Sequence, residues 1–343
     1  FWAGVNLRLF KLSGTYSINS FKSCTTVQNS LFLHINRFMS RKKIIPPPLR
    51  PGDEVMLVSP SFAIDAGKID NAVKFLTGWG LNVRVGRNVL KQNGPFAGTD
   101  EERLADLQEA IDDKNIKAVF CSRGGYGILR IIDRIGFSTL KRTPKWFIGY
   151  SDITVLHAWL NNICNITSLH AEMPLHYGDS SKSSQSFSTL RQALFDSSLS
   201  WSWEGRSIKG SYAEGELIGG NLSLIYSLMG TRAEPDTRGK ILFIEDTGEQ
   251  YYNIDRMLTS LKLAGKLKNL SALLVGGLTE MVDGKIPWGK TTVETVSDIV
   301  KEYKYPVFFD CPAGHLEDNR ALMIGGRAVI INEGNELSIT FSF

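Results

Sequence analysis

The sequence predicts an α/β fold: an N-terminal domain built on a parallel sheet, then a smaller C-terminal α/β domain with more sheet character. Three observations carry this expectation. From residue 53 to about residue 170, short apolar runs alternate with stretches of helical spacing, as in a parallel sheet covered by helices on both faces. Beyond Trp201 the texture changes, and the chain ends in a hairpin pattern. A length of 343 residues suits two domains or one large one.

The elements follow in order. Pro46–Pro48 hold the chain extended, since proline fixes φ and has no amide proton. Asp53–Ser59 is a short apolar run between Pro-Gly and Ser-Pro, which reads as a buried strand. Helical spacing covers Ala66–Trp79, and Leu81–Val89 reads as a second strand. Thr99 and Glu102 have capping-box spacing for a helix reaching about Asp113. Ile116–Cys121 is a strand, Tyr126–Ile135 a helix, Trp146–Tyr150 a strand, Asp152–Asn162 a helix and Ile166–His170 a strand. The serine-rich stretch 178–200 reads as a surface connection with one helix. Lys240–Glu245 and Leu270–Val275 are strands flanking a helix from Ile254 to Leu263. A helix over Thr291–Lys301, a strand over Val307–Asp310 and a hairpin over Arg327–Phe343 complete the chain. The expected divisions are an extension over 1–43, an N-terminal domain over 44–176, a connection over 177–212 and a C-terminal domain over 213–343.

Composition narrows the function classes. Apolar residues at 43% and charged residues at 22% exclude wholesale disorder. The basic excess belongs to residues 1–52, which hold eight Lys or Arg and no acid; the rest carries 31 basic and 35 acidic residues. A slightly acidic body argues against a nucleic-acid partner. No apolar run approaches the length of a membrane span, so no membrane partner is expected. The four cysteines, Cys24, Cys121, Cys164 and Cys311, form no CxxC pair, and HExxH is absent. Neither a metal nor a cofactor is expected. Residues 1–38 resemble a mitochondrial transit peptide in composition, but Met39 reads better as a native start. The first reading implies a mitochondrial location, the second a cytoplasmic one.

The most informative segment is Gly149-Tyr150-Ser151-Asp152, between a strand and a helix. A serine on such a sharp turn exposes its hydroxyl above the sheet, and the next amide faces a developing oxyanion. Ile153 stands where G-x-S-x-G would have its last glycine, and helix capping by Ser151 or Asp152 is the competing reading. Ser122-Arg123-Gly124-Gly125-Tyr126-Gly127 follows a strand directly. Its amides suit an oxyanion or a carboxylate, and Arg123 can pair with a carboxylate; a plain tight turn is the alternative. It lacks dinucleotide and P-loop spacing. A serine nucleophile needs a base, and His315 lies in a loop just past a strand, where catalytic groups are often placed. His157, six residues past Ser151, falls on the opposite helix face, His170 ends a strand and can line the cleft, His176 sits in a loop with no special context, and His34 lies in the extension. An acidic partner comes from Glu245, Asp246 or Glu249.

Taken in order, Ser122–Gly127, Gly149–Asp152, Leu217–Leu222 (LIGGNL), Leu242–Glu249 and Pro312–His315 resemble the muramoyl-tetrapeptide LD-carboxypeptidase family of serine peptidases, which includes the microcin C immunity proteins. The resemblance runs from about Pro46 to Phe343. It implies a Ser151–His315–Glu245 triad divided between two domains, and an oxyanion hole from the amides of Asp152 and the Gly124–Gly125 region. Tyr150 and Arg123 become substrate-binding candidates. It also implies a homodimer without metal that acts on a small peptide or muropeptide, cutting an L,D-bond to release D-alanine. The alternatives are an amidase acting on a peptide–nucleotide conjugate and a non-catalytic murein-peptide-binding protein. Two departures stand out. His170-Ala171-Glu172-Met173 replaces the family's frequent His-Gly-Pro-Met, and Met323-Ile324-Gly325 replaces Pro-Ile-Gly.

Overall fold

The computed structural model describes residues 43–196 and 198–343, so the transit-like stretch 1–38 lies outside the described residues. The first five strands are β1 (Glu54–Val58), β2 (Asn82–Val85), β3 (Ile116–Cys121), β4 (Trp146–Gly149) and β5 (Ser168–His170). They pair in parallel in the order β5-β4-β3-β1-β2. Helices α1 (Ala66–Gly78), α2 (Asp100–Asp112) and α3 (Thr154–Trp159) connect them. Thr99 and Glu102 close the expected capping box at the start of α2.

Strand alternation explains why these apolar runs are nearly continuous. Val55, Leu57, Ala118, Phe120, Trp146 and Ile148 bury into one core, while Met56, Val58, Val119, Cys121 and Phe147 bury into another on the opposite face. Neighbouring residues on a strand point to opposite sides, so a sheet covered on both faces needs apolar residues at every position.

The Tyr126–Ile135 helix does not form. Two 3₁₀ turns, Ile128–Arg130 and Ile132–Arg134, take its place. Ile128, Ile131, Ile132 and Ile135 are buried at helical spacing, which is why the pattern misleads. The chain enters the first turn from Gly127 at φ 147°, and the first amide, Ile128 N–H, is taken by the distant Asp152 carboxylate. Tertiary contacts thus set the backbone here.

The serine-rich stretch supplies helix α4 (Ser184–Phe195) and then leads into the second sheet. That sheet holds β6 (Ser198–Glu204), β7 (Ser207–Lys209), β8 (Tyr212–Asn221), β9 (Ile241–Thr247), β10 (Ala272–Thr279), β11 (Val307–Phe308), β13 (Arg327–Glu333) and β14 (Glu336–Ser342) in the order β6-β14-β13-β8-β9-β10-β11-β7. Its centre, β8 to β11, is parallel; the flanking strands are antiparallel. Helices α5 (Leu222–Ser227), α6 (Tyr251–Leu263) and α7 (Thr292–Val300) belong to this half. The predicted terminal hairpin is β13–β14.

Strand β12 (Leu322–Ile324) leaves the second half and pairs antiparallel with β5, extending the first sheet to six strands. One core cluster also runs through both sheets, joining Leu57 and Trp146 to Phe243 and Ile330. Among the described residues, no helix is long and apolar enough to cross a membrane.

Candidate active site

Strand β4 ends at Gly149, Tyr150 continues extended, and Ser151 turns into the left-handed region at φ 63°. A non-glycine residue there costs roughly 1–2 kcal/mol, so the surrounding packing must hold it. The turn then passes through a 3₁₀ segment, Ser151–Ile153, into α3. Neither Ser151 nor Asp152 caps that helix through its side chain. Asp152 is fully buried, and its Oδ2 accepts hydrogen bonds from the Ser61 hydroxyl and from Ile128 N–H at 3.0 Å. Burial pushes its carboxyl up to about 6 against these two bonds.

The loop after β3 closes on this turn. A Cβ added to Gly124 would lie 2.8 Å from Ser151 Oγ and 3.4 Å from the Asp152 nitrogen, so only a bare backbone fits beside the serine. Arg123 donates from Nη1 to Ala63 O at 2.9 Å and sets its guanidinium over the Phe62 ring at 5.8 Å.

The second half supplies a histidine–carboxylate pair. Glu245 ends the apolar part of β9 and is fully buried. Its Oε2 lies 2.7 Å from His315 Nδ1. Gly314, at φ 107°, permits this approach, because a Cβ there would lie 2.6 Å from the same oxygen. Burial alone would lower the His315 pKa, but the hydrogen bond and charge of Glu245, with Asp246 behind, raise it above the ordinary value. With Nδ1–H donated to Glu245, Nε2 keeps the free lone pair. The two rival acids are engaged elsewhere. Asp246 accepts from Asn221 Nδ2, Thr247 N and Ser223 N, and burial followed by the charge of Glu245 pushes it up to about 6. Glu249 accepts from Asn253 Nδ2 at 2.7 Å.

These parts line one cleft of about 410 Å³. Arg123, Gly124, Gly125, Tyr150, Ser151 and Asp152 face it from the first half, and His315 faces it from the second. Glu245 sits behind His315, outside the lining. The Tyr150 and His315 rings meet edge-on at 5.0 Å between centroids. Among the described residues, no direct hydrogen bond joins Ser151 to His315.

The other histidines divide clearly. His157 is fully buried, bonds Gly149 O at 2.8 Å through Nε2 and is lowered to about 4 by burial. His170 is also fully buried, packed between the rings of Tyr150 and Phe243. His176 carried no signal in the sequence, yet it lines the cleft with Arg123. Asn221 was likewise missed as an individual; it is the asparagine of the LIGGNL motif, lines the cleft and fixes Asp246.

The crystal structure of muramoyltetrapeptide carboxypeptidase from Oxalobacter formigenes is similar to this chain with a TM-score of 0.78 and 27% identity, covering 84% of this chain and 99% of that one. The microcin C7 self-immunity protein MccF, in complex with aspartyl sulfamoyl adenosine, shares the fold with a TM-score of 0.78 at 20% identity, over 87% and 98% of the two chains. The fold places the chain among two-domain α/β proteins of this kind. The family models for the LD-carboxypeptidase N-terminal and C-terminal domains match residues 55–171 and 214–330, and the chain belongs to the LD-carboxypeptidase family. A Bacillus subtilis relative described as a probable murein peptide carboxypeptidase is 37% identical over 290 residues, 83% of this chain and 91% of that protein.

Proposed function

We propose that the chain is a serine carboxypeptidase that hydrolyses the L,D-peptide bond preceding the terminal D-alanine of a murein tetrapeptide. The observation that carries this reading is the pairing of Ser151, at φ 63°, with a Glu245-bonded His315 across one cleft. Ser151 Oγ attacks the scissile carbonyl, and His315 Nε2 takes its proton. Glu245 holds the tautomer of His315 and stabilises its charged form. The amides of Asp152 and the Gly124–Gly125 region take the oxyanion. His315 then protonates the departing amine of D-alanine, and water releases the acyl group from Ser151. Arg123 and Tyr150 bind the substrate, with Arg123 reading its free carboxylate.

The test is release of D-alanine from a synthetic tetrapeptide by wild type and by Ser151→Ala. Loss of at least about 10³-fold in the variant is expected. Unchanged release overturns the assignment. Faster turnover of a peptide–nucleotide amide would reassign the substrate. A wild type that neither turns over nor reacts with a serine-directed acylating probe would be a binding protein.

A further inference from the structure

The loop carrying His315 is latched to the first half through a charge that the triad does not use. Glu172 lies in the His170–Met173 stretch that departs from the family pattern, and it is fully buried. Its Oε1 accepts the Met173 N–H at 3.1 Å, and its Oε2 lies 3.3 Å from Lys182 Nζ. Lys182 donates in turn to Leu316 O at 2.8 Å, the carbonyl next in sequence to His315. Ser183 N–H reaches Glu317 O, Ser186 Oγ accepts the Asn319 N–H, and Asn319 Oδ1 accepts the Gly314 N–H. A carboxylate with no solvent exposure is costly unless a cation meets it. Here Lys182 does so while gripping the histidine loop.

We propose that Glu172 and Lys182 are a positioning pair for His315: Lys182 anchors the Leu316 carbonyl and places a positive charge behind the imidazole, and Glu172 holds Lys182 there. This rests on His315 as the catalytic base. The groups that face His315 are Glu245 and Asp246 from β9, Tyr150 from the turn after β4, His170 from β5 and Lys182 from the segment before α4. Lys182 acts on the imidazole, and the opposite charge of Glu172 is expected to act on it with opposite sign. Removing the lysine charge favours imidazolium, and removing the glutamate charge disfavours it. A purely structural latch has no reason to give opposite signs.

The experiment uses the full chain with Lys182→Met, Glu172→Gln and Lys182→Arg. The His315 ring-proton resonance, identified by its loss in His315→Gln, is titrated by NMR, and kcat and KM on the tetrapeptide are followed against pH. The midpoint is expected to rise by roughly half a pH unit in Lys182→Met, fall by a similar amount in Glu172→Gln and stay at the wild-type value in Lys182→Arg. kcat falls about tenfold in the first two, with KM little changed. Shifts of the same direction, or unmoved midpoints in folded variants, overturn the proposal. Should a single variant unfold, the double variant strands no charge, and an unchanged kcat there overturns it as well. The NMR arm needs no turnover, so a failed triad, shown by an active Ser151→Ala, is distinguishable from a failed latch.

Discussion

Gly124 and Ser151 come from different loops and touch so closely that a methyl group on the first would sit 2.8 Å from the hydroxyl of the second. Gly124 is not among the residues at positive φ, so alanine fits its backbone. The conflict falls on the serine alone. Gly124→Ala is expected to lower kcat/KM by about 10²-fold or more through a misplaced nucleophile, while stability falls by less than about 2 kcal/mol. Tetrapeptide hydrolysis and urea unfolding of the same preparation measure the two effects.

Ser151 itself carries the opposite balance. Its left-handed backbone is strained for a side chain and neutral for glycine. Ser151→Gly is therefore expected to abolish D-alanine release and yet stabilise the fold by about 1 kcal/mol. Thermal unfolding reads the gain; a Tm below that of wild type would contradict it.

In the proposed triad, Glu245 governs the acid limb of the pH profile. The base works when neutral, and the pKa of His315 lies above its ordinary value, chiefly through Glu245 acting against burial. With His315 as the proposed base, wild-type activity is expected to be lost as pH falls through that raised value. In Glu245→Gln the limb moves to lower pH, and kcat falls by about 10²-fold or more because the tautomer is no longer held. Profiles of kcat/KM between pH 5 and 9 test both.

His157 links stability to pH without touching the cleft. Its folded-state pKa is depressed from 6.5 to about 4 by burial. For a depressed base the sign runs one way: its contribution is full above the unfolded value and is lost as pH falls towards the folded one. Between pH 6.5 and 4, wild type should lose up to about 3 kcal/mol relative to His157→Gln. Denaturant titrations at pH 7, 5.5 and 4.5 follow the gap.

The parallel strands were legible because a doubly covered sheet writes itself as unbroken apolar runs, as in Val55–Val58 and Val119–Cys121. The turn at Ser151 was legible as a strand-to-helix junction, and Gly314-His315 as a loop past a strand. The choice of Glu245 over Asp246 and Glu249 was open on residue spacing alone, since all three lie within five residues and only tertiary hydrogen bonds separate them. The isoleucines at 128–135 misled because burial at helical spacing does not require a helix. His176 and Lys182 carried no local signal, because what they touch is set by segments far away in sequence.

The return of β12 to the first sheet has a temporal consequence. During synthesis, Ser151 and the five parallel strands emerge long before residues 322–324 can cover the β5 edge, and His315 is made only shortly before them. A growing chain thus holds Ser151 without the proposed base His315, beside an unpaired strand edge, until residues 315–324 leave the ribosome. Covering of the β5 edge and arrival of the proposed base nearly coincide, so a chain stopped before His315 is expected to be hydrolytically silent.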